Sequence, residues 1–169
     1  MTAVESTSSQ AGGLTIVRVD YGHQDAMRLM AQVQEEYVAR YGGPDESPID
    51  PLMFVPPVGS FFVGYLGETA VATGAWRESG VAALGTTRTA EIKRMYVVPA
   101  AQRQGNARRM LAHLETTAAD AGYAALVLET GTRQPEAIAL YESAGYLQIP
   151  GFGYYQDSPI SRCFAKRVD

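Results

Sequence analysis

Glu91-Ile-Lys-Arg-Met-Tyr-Val-Val-Pro-Ala-Ala-Gln-Arg-Gln-Gly-Asn-Ala-Arg-Arg-Met-Leu111 is the stretch from which the fold of this chain can be worked out. Ile92 to Val98 is rich in β-branched and aromatic residues and predicts a strand, with Glu91 at its start. Pro99 has no N–H to give to a ladder and ends it. Met110, Leu111, Leu114 and Ala118 then recur at helical spacing. A strand therefore feeds a helix through Gln102 to Ala107. The first N–H groups of such a helix have no internal partner and sit at the positive end of its dipole. Gly105 lets the backbone approach a bound group closely, and Arg103, Arg108 and Arg109 gather positive charge around it. The junction suits an anion, most naturally phosphate, although a lone glycine before a helix also serves plain turn chemistry. The Gly-x-Gly-x-x-Gly of a dinucleotide site and the Gly-Lys-Ser/Thr of a nucleotide P-loop are absent here.

The 169 residues fit one domain with a proper core, and 46% hydrophobic with 19% charged residues is a globular balance. Fourteen basic against eighteen acidic residues give a net charge of −4, which argues against a nucleic-acid partner while allowing a local basic pocket. Cys163 is the only cysteine, so neither an internal disulfide nor a cysteine metal cluster is expected, and no metal site is expected elsewhere. No apolar run has membrane-spanning or signal-peptide form, from which a cytoplasmic protein without a membrane partner is expected.

Residues 1–13 are small, polar and aperiodic and predict a flexible tail, leaving 14–169 as a single domain. Leu14 to Val19 alternates as a strand, and Ala26, Leu29, Met30, Val33, Tyr37 and Val38 share a helical stripe. His23 reads as a surface or capping residue, since no second ligand stands at metal spacing. Gly43 to Pro57 predicts a long loop, able either to cover an acceptor site or to pack down through Leu52, Phe54 and Val55. Ser60–Leu66 and Thr69–Arg77 form a hairpin around Gly67-Glu68. Tyr123 to Thr130 is a buried strand, Pro135 opens a helix that Gly145 closes, and Tyr146–Ile149 and Ser161–Val168 are two last strands. The class is mixed α/β around one sheet.

Gln102-Arg-Gln-Gly105-Asn-Ala107 after a strand matches the Gln/Arg-x-x-Gly-x-Gly/Ala signature of the GNAT superfamily of acyl-CoA-dependent N-acetyltransferases. Pro135-Glu-Ala-Ile-Ala-Leu-Tyr141-Glu-Ser-Ala-Gly145-Tyr146 is similar to that family's Ala-x-x-Leu-Tyr-x-x-x-Gly-Phe/Tyr segment. The chain thus resembles a GNAT enzyme from Leu14 to Val168 in order of elements, with motif-level matching confined to Glu91–Leu111 and Leu128–Tyr146. The resemblance implies a mostly antiparallel sheet, flanked by helices and splayed between its fourth and fifth strands. It implies acetyl-CoA as co-substrate and a primary amine, amino acid or peptide N-terminus as acceptor. It also implies a pyrophosphate cradle at Arg103, Gln104, Gly105, Asn106, Ala107 and Arg108, and an oxyanion site from the N–H groups of Met95, Tyr96 and Val97. Gln134 stands where the family usually has Asn. A homodimer is compatible with all of this.

An amine must be neutral to attack a thioester, so a carboxylate is expected as proton acceptor. Glu91 stands at the offset of the base in histone-modifying members, and Glu129, twelve residues before Tyr141, at that of the ribosomal-protein alanine acetyltransferases. Each also suits a paired strand carboxylate. Glu129 is favoured because a charge in an otherwise apolar strand is costly unless paired or functional. Tyr141 stands at the family's proton-donor position, with core packing as its plain structural role. Two further functions fit the same pattern, a non-catalytic acyl-CoA-binding module and an acyltransferase for longer chains. Acidic residues in Pro44–Asp50 and the aromatics Tyr37, Phe54, Trp76 and Tyr154 suit a cationic or amphipathic acceptor.

Overall fold

The computed structural model describes residues 6–8 and 13–169. Its elements run β1 (Ser6–Ser8), β2 (Thr15–Val19), α1 (Gln24–Tyr41), β3 (Gly59–Leu66), β4 (Thr69–Glu78), β5 (Thr89–Val97), α2 (Asn106–Asp120), β6 (Ala125–Gly131), α3 (Pro135–Ser143), β7 (Leu147–Ile149) and β8 (Ser161–Arg167). They build one sheet in the order β1-β2-β3-β4-β5-β6-β8-β7. Among the described residues only the β5–β6 pair is parallel, and every other pair is antiparallel. The expected tail departs from this in one place, since Ser6–Ser8 pairs with Thr15–Val17 as an edge strand. The remainder of that tail up to residue 12 lies outside the described residues.

The two faces of the sheet carry different cores. On one, Met110, Leu111, Leu114 and Ala118 of α2 and Tyr141 of α3 meet Phe62, Trp76, Ile92, Leu126 and Leu128. Trp76 is only 2% exposed, and its indole N–H donates to Thr117 Oγ1 at 3.0 Å, so this tryptophan is core rather than site. On the other face, Ala26, Leu29 and Met30 of α1 pack on Phe61, Val63 and Ala75. His23 caps α1, its Nδ1 accepting the Asp25 N–H at 3.1 Å. The end of the sheet that α1 does not reach is covered by two loops, with Ala83 and Phe152 against Val127, Cys163 and Ala165.

β5 begins two residues before Glu91, because Thr89 and Ala90 are buried in register with Ala125 and Leu126 of β6. Farther along, the β4–β5 register slips by one residue at Arg94, whose φ of 56 is left-handed. The Thr73 hydroxyl clamps this bulge by donating to Arg94 O at 2.7 Å. A bulge increases local twist and bends its strand.

The predicted Gly43–Pro57 loop is coil carrying a short 3-10 turn, Pro51–Phe54. Phe54 is buried between Tyr21 and Phe61, each with ring centroids 5.6 Å away, whereas Leu52 and Val55 stay exposed. Phe54 therefore packs the loop down and is not a site aromatic. The turn crosses so close to β3 that a Cβ at Gly59 would lie 2.8 Å from Phe54 Cα, against backbone that has no rotamer to escape through. Gly59→Ala should lower the unfolding free energy by about 2–3 kcal/mol in urea titration; wild-type stability would mean the turn does not rest on β3.

Candidate functional site

The cleft opens where β5 and β6 separate. They pair only at Thr89, Ala90 and Glu91 against Ala125, Leu126 and Val127. Beyond that, β5 stays bonded to β4 and β6 to β8, leaving two facing strand edges unpaired. Val98 N–H bonds Val71 O at 2.9 Å, so by alternation Tyr96 turns its N–H to β4 while Met95 and Val97 turn theirs to the open edge. Of the three expected donors, Tyr96 is therefore not available; its side chain lies toward α1, with its hydroxyl donating to Gln32 Oε1 at 3.4 Å.

The open edge leads to the start of α2. Gly105 is the N-cap with φ 82, and no side chain caps the helix. Arg109 N–H takes Gly105 O at 3.0 Å, while the N–H groups of Asn106, Ala107 and Arg108 point out of the helix unpaired among the described residues. The polar side chains of the loop brace it from behind: Gln102 donates to Val97 O at 3.0 Å, Gln104 to Ala100 O at 3.2 Å, and the buried Asn106 to Ala101 O at 2.9 Å. Arg108 reaches Ser143 Oγ at 2.7 Å, tying α2 to α3, and Arg103 is exposed. A positive-φ glycine with bare N–H groups at a helix start fits a pyrophosphate, and the open β5 edge fits an extended chain bearing amides. Acetyl-CoA has both parts.

On the α1 face, a cleft of about 430 Å³ is lined by Tyr37, Tyr41, Asp45, Glu46, Glu129, Gln134, Tyr155 and Ser161, among others. Glu129 lies opposite Cys163 of β8, and its face is the one away from α2 because Leu126 and Leu128 fill the other. Its Oε2 is buried without a hydrogen bond, as is the nearby Ser161 Oγ. Burial pushes the Glu129 carboxyl up to about 7; the Glu91 and Asp45 charges add to this, and the Ser161 hydroxyl and Lys93 ammonium oppose it. Glu91 is different. It is 5% exposed, with Oε1 on Arg77 at 2.8 Å and Oε2 on Lys93 at 3.3 Å, so it is a buried, doubly paired carboxylate and not a solvent-facing strand end.

Tyr141, in the last turn of α3, is 6% exposed and stacks edge-on against Tyr146 at 5.6 Å. Its hydroxyl makes no hydrogen bond among the described residues, and burial, with the Tyr37 phenol adding, drives its pKa well above the usual phenol value. Gln134 accepts from the Tyr41 hydroxyl at 3.1 Å and lines the α1-face cleft, so the structure ties it to α1 rather than to the α2 junction. Gly131 makes room for that hydroxyl, since a Cβ there would overlap the Tyr41 ring.

The Gly43–Pro57 loop is fixed over the cleft by a contact that sequence reasoning missed. Arg94, side chain 6% exposed, pairs with Asp45 at 2.8 Å. Asp45 also accepts from Ser47 N–H at 2.9 Å and from the Ser47 hydroxyl at 2.7 Å. The Tyr155 hydroxyl joins the loops, donating to Asp45 Oδ1 at 3.2 Å and accepting Glu46 N–H at 2.8 Å. Burial alone would raise the Asp45 carboxyl, but the Ser47 bonds and the Arg94 charge outweigh it and hold it below the usual value. The signal was an arginine inside an apolar strand. The neighbouring Tyr154, expected at the site, is 60% exposed and does not line the cleft. Among the described residues no group of three or more His, Cys, Asp or Glu could hold a metal, and no helix is long and apolar enough to cross a membrane.

The Acetyltransferase (GNAT) family model matches residues 26–146. The IAA acetyltransferase of Azospirillum brasilense is 44% identical over 71 residues, which are 42% of this chain and 46% of that protein, so the match spans about half its length. Among solved structures, a Klebsiella pneumoniae protein assigned to the acyl-CoA N-acyltransferases is 26% identical with TM-score 0.76, covering 94% of this chain and 100% of that one. A GNAT family acetyltransferase from Elizabethkingia anophelis, solved with acetyl-CoA bound, shares the fold at 15% identity and TM-score 0.64, covering 91% of this chain and 97% of that one.

Asp45→Asn leaves the Arg94 guanidinium buried beside a neutral amide. It should lower the unfolding free energy at pH 7 by about 2–3 kcal/mol. Because the Asp45 carboxyl is held below the ordinary 3.8, its contribution is complete above that pH and is lost only as pH falls through the lower folded value. Urea titrations at pH 7 and pH 3 check this, and equal stability of the variant and wild type at pH 7 would remove the pair from the account.

Proposed function

The chain belongs to the Acetyltransferase (GNAT) family, and from that premise we propose that it transfers an acetyl group from acetyl-CoA to a primary amine by direct attack. Membership makes it an acyltransferase; the donor, the acceptor class and the residue roles are the proposal. The observation that carries it is Glu129, a half-buried carboxyl whose Oε2 is buried and unpaired, placed in a cleft beside the opened strand edges and poised at about 7. A general base works best when its pKa lies near the operating pH.

Each residue then has one task. Glu129 takes a proton from the acceptor's ammonium group, directly or through a water, and leaves a neutral amine. As the nitrogen–carbon bond forms, the N–H groups of Met95 and Val97 on the open edge are available to the negative charge on the acetyl oxygen. As the carbon–sulfur bond breaks, Tyr141 gives its proton to the departing sulfur and is later re-protonated from solvent. The bare N–H groups of Asn106 to Arg108 hold the pyrophosphate, and the Arg108 guanidinium is spent on Ser143. Glu91 serves structure, keeping Arg77 and Lys93 neutralised where β5 and β6 still pair.

With this assignment, kcat/KM should rise with pH through about 7 as Glu129 loses its proton and level off above it. Glu129→Gln should cut kcat/KM by about a hundredfold or more and abolish that rise, whereas Glu91→Gln should keep the rise and show its loss in thermal stability. A pH profile that loses its limb in Glu91→Gln and keeps it in Glu129→Gln reverses the roles. Tyr141→Phe should lower kcat by about a hundredfold with acetyl-CoA affinity nearly unchanged in calorimetry. Wild-type turnover in that variant would return Tyr141 to core packing.

A further inference from the structure

We infer that the acceptor is a small cationic amine carrying no carboxylate, rather than a free amino acid; this rests on reading the α1-face cleft as the acceptor site of an N-acetyltransferase. Its size suits a small molecule, since about 430 Å³ lies within the range of small-ligand pockets. Its charge is one-sided. Asp45, Glu46 and Glu129 line it, Asp45 already paired with Arg94, and no lysine or arginine side chain among the described residues does.

Cations on the surrounding elements are engaged, Arg162 with the carbonyls of Pro159 and Ser161. Arg94 is held by Asp45 and Lys93 by Glu91. Arg40 bridges Glu36 and Glu136, and Arg133 lies over the Tyr41 ring with its guanidinium on Arg40 O. In a free amino acid the carboxylate sits one carbon from the reacting amine. With that amine on Glu129, the carboxylate would enter among like charges with no partner, next to a carboxyl already raised by burial and by Glu91 and Asp45. An ammonium group meets the opposite situation, because the same carboxylates attract it and the phenols of Tyr37, Tyr41 and Tyr155 give its body aromatic walls. Unpaired charge excludes more sharply than a missing contact, so the discrimination is against the carboxylate more than for any one side chain.

Matched pairs isolate that group. Thiol release from acetyl-CoA is followed with tyramine against tyrosine and phenethylamine against phenylalanine, with tyrosine methyl ester as the masked form and a tetrapeptide amide as the large acceptor. The amine of each pair should exceed its amino acid at least tenfold in kcat/KM, and the methyl ester should recover most of the difference. Glu46 is exposed and holds Tyr155 only through its backbone N–H, so Glu46→Lys keeps the fold while adding a cation at the rim. It should move the tyramine-to-tyrosine ratio toward tyrosine by about tenfold. Amino acids used as well as their amines, or a ratio unmoved in Glu46→Lys, overturn the inference and leave acetyl transfer standing. Preference for the tetrapeptide amide over every small amine overturns it on size. Acetyl-CoA binding without thiol release for any amine overturns the underlying N-acetyltransferase reading instead.

Discussion

The parting of β5 from β6 after three paired residues is the constraint on which the rest of the molecule depends. A strand edge in a protein interior needs hydrogen-bond partners, and here two edges face one another without closing. Three residues beyond the last pairing with β6, the bulge at Arg94, clamped by Thr73, bends β5 further and helps keep the edges apart. Holding a non-glycine residue at φ 56 costs on the order of 1 kcal/mol. The strain is offset by the Arg94–Asp45 pair, which also brings the long loop over the cleft. One residue thus both helps hold the sheet open and roofs the opening.

The polar groups left around that opening share a pattern: each is expensive as it stands and useful with a ligand present. The N–H groups at the α2 start lack a cap. Glu129 Oε2 and Ser161 Oγ are buried without a well-formed hydrogen bond, with the Ser161 hydroxyl near enough to favour the Glu129 charge, and the buried Tyr141 phenol has no acceptor among the described residues. In a purely structural domain such groups would be paired or replaced by apolar ones. Elsewhere in the fold, Tyr146 and Lys166 are satisfied by Glu115, and Glu91 by Arg77 and Lys93, although Arg77 keeps its Nε buried without a partner.

What was legible in the sequence was local. The strand, glycine and helix around Gly105 and the hairpin at Gly67-Glu68 follow from periodicity and turn chemistry. What was not legible depends on register and on contacts between distant segments. Glu91 reads as the start of its strand, because nothing local announces that Thr89 and Ala90 extend the ladder against β6, while the paired carboxylate that the sequence also allows is what ion-pair contacts to Arg77 and Lys93 make of it. Tyr96 looked equivalent to its neighbours until the Val98–Val71 bond set the alternation. The site aromatics were half misassigned for the same reason: Trp76 and Phe54 point into the two cores, while Tyr41 and Tyr155 reach the cleft only through the folding of α1 and the last loop onto it.

Amide hydrogen exchange, with and without acetyl-CoA, tests the central claim that the opened edge and the uncapped helix start form one binding surface. The account predicts slower exchange on binding at Met95 and Val97 and at Asn106 to Arg108, with Tyr96, already bonded to β4, changed little. Protection confined to other parts of the sheet, with these amides exchanging as before, would contradict it.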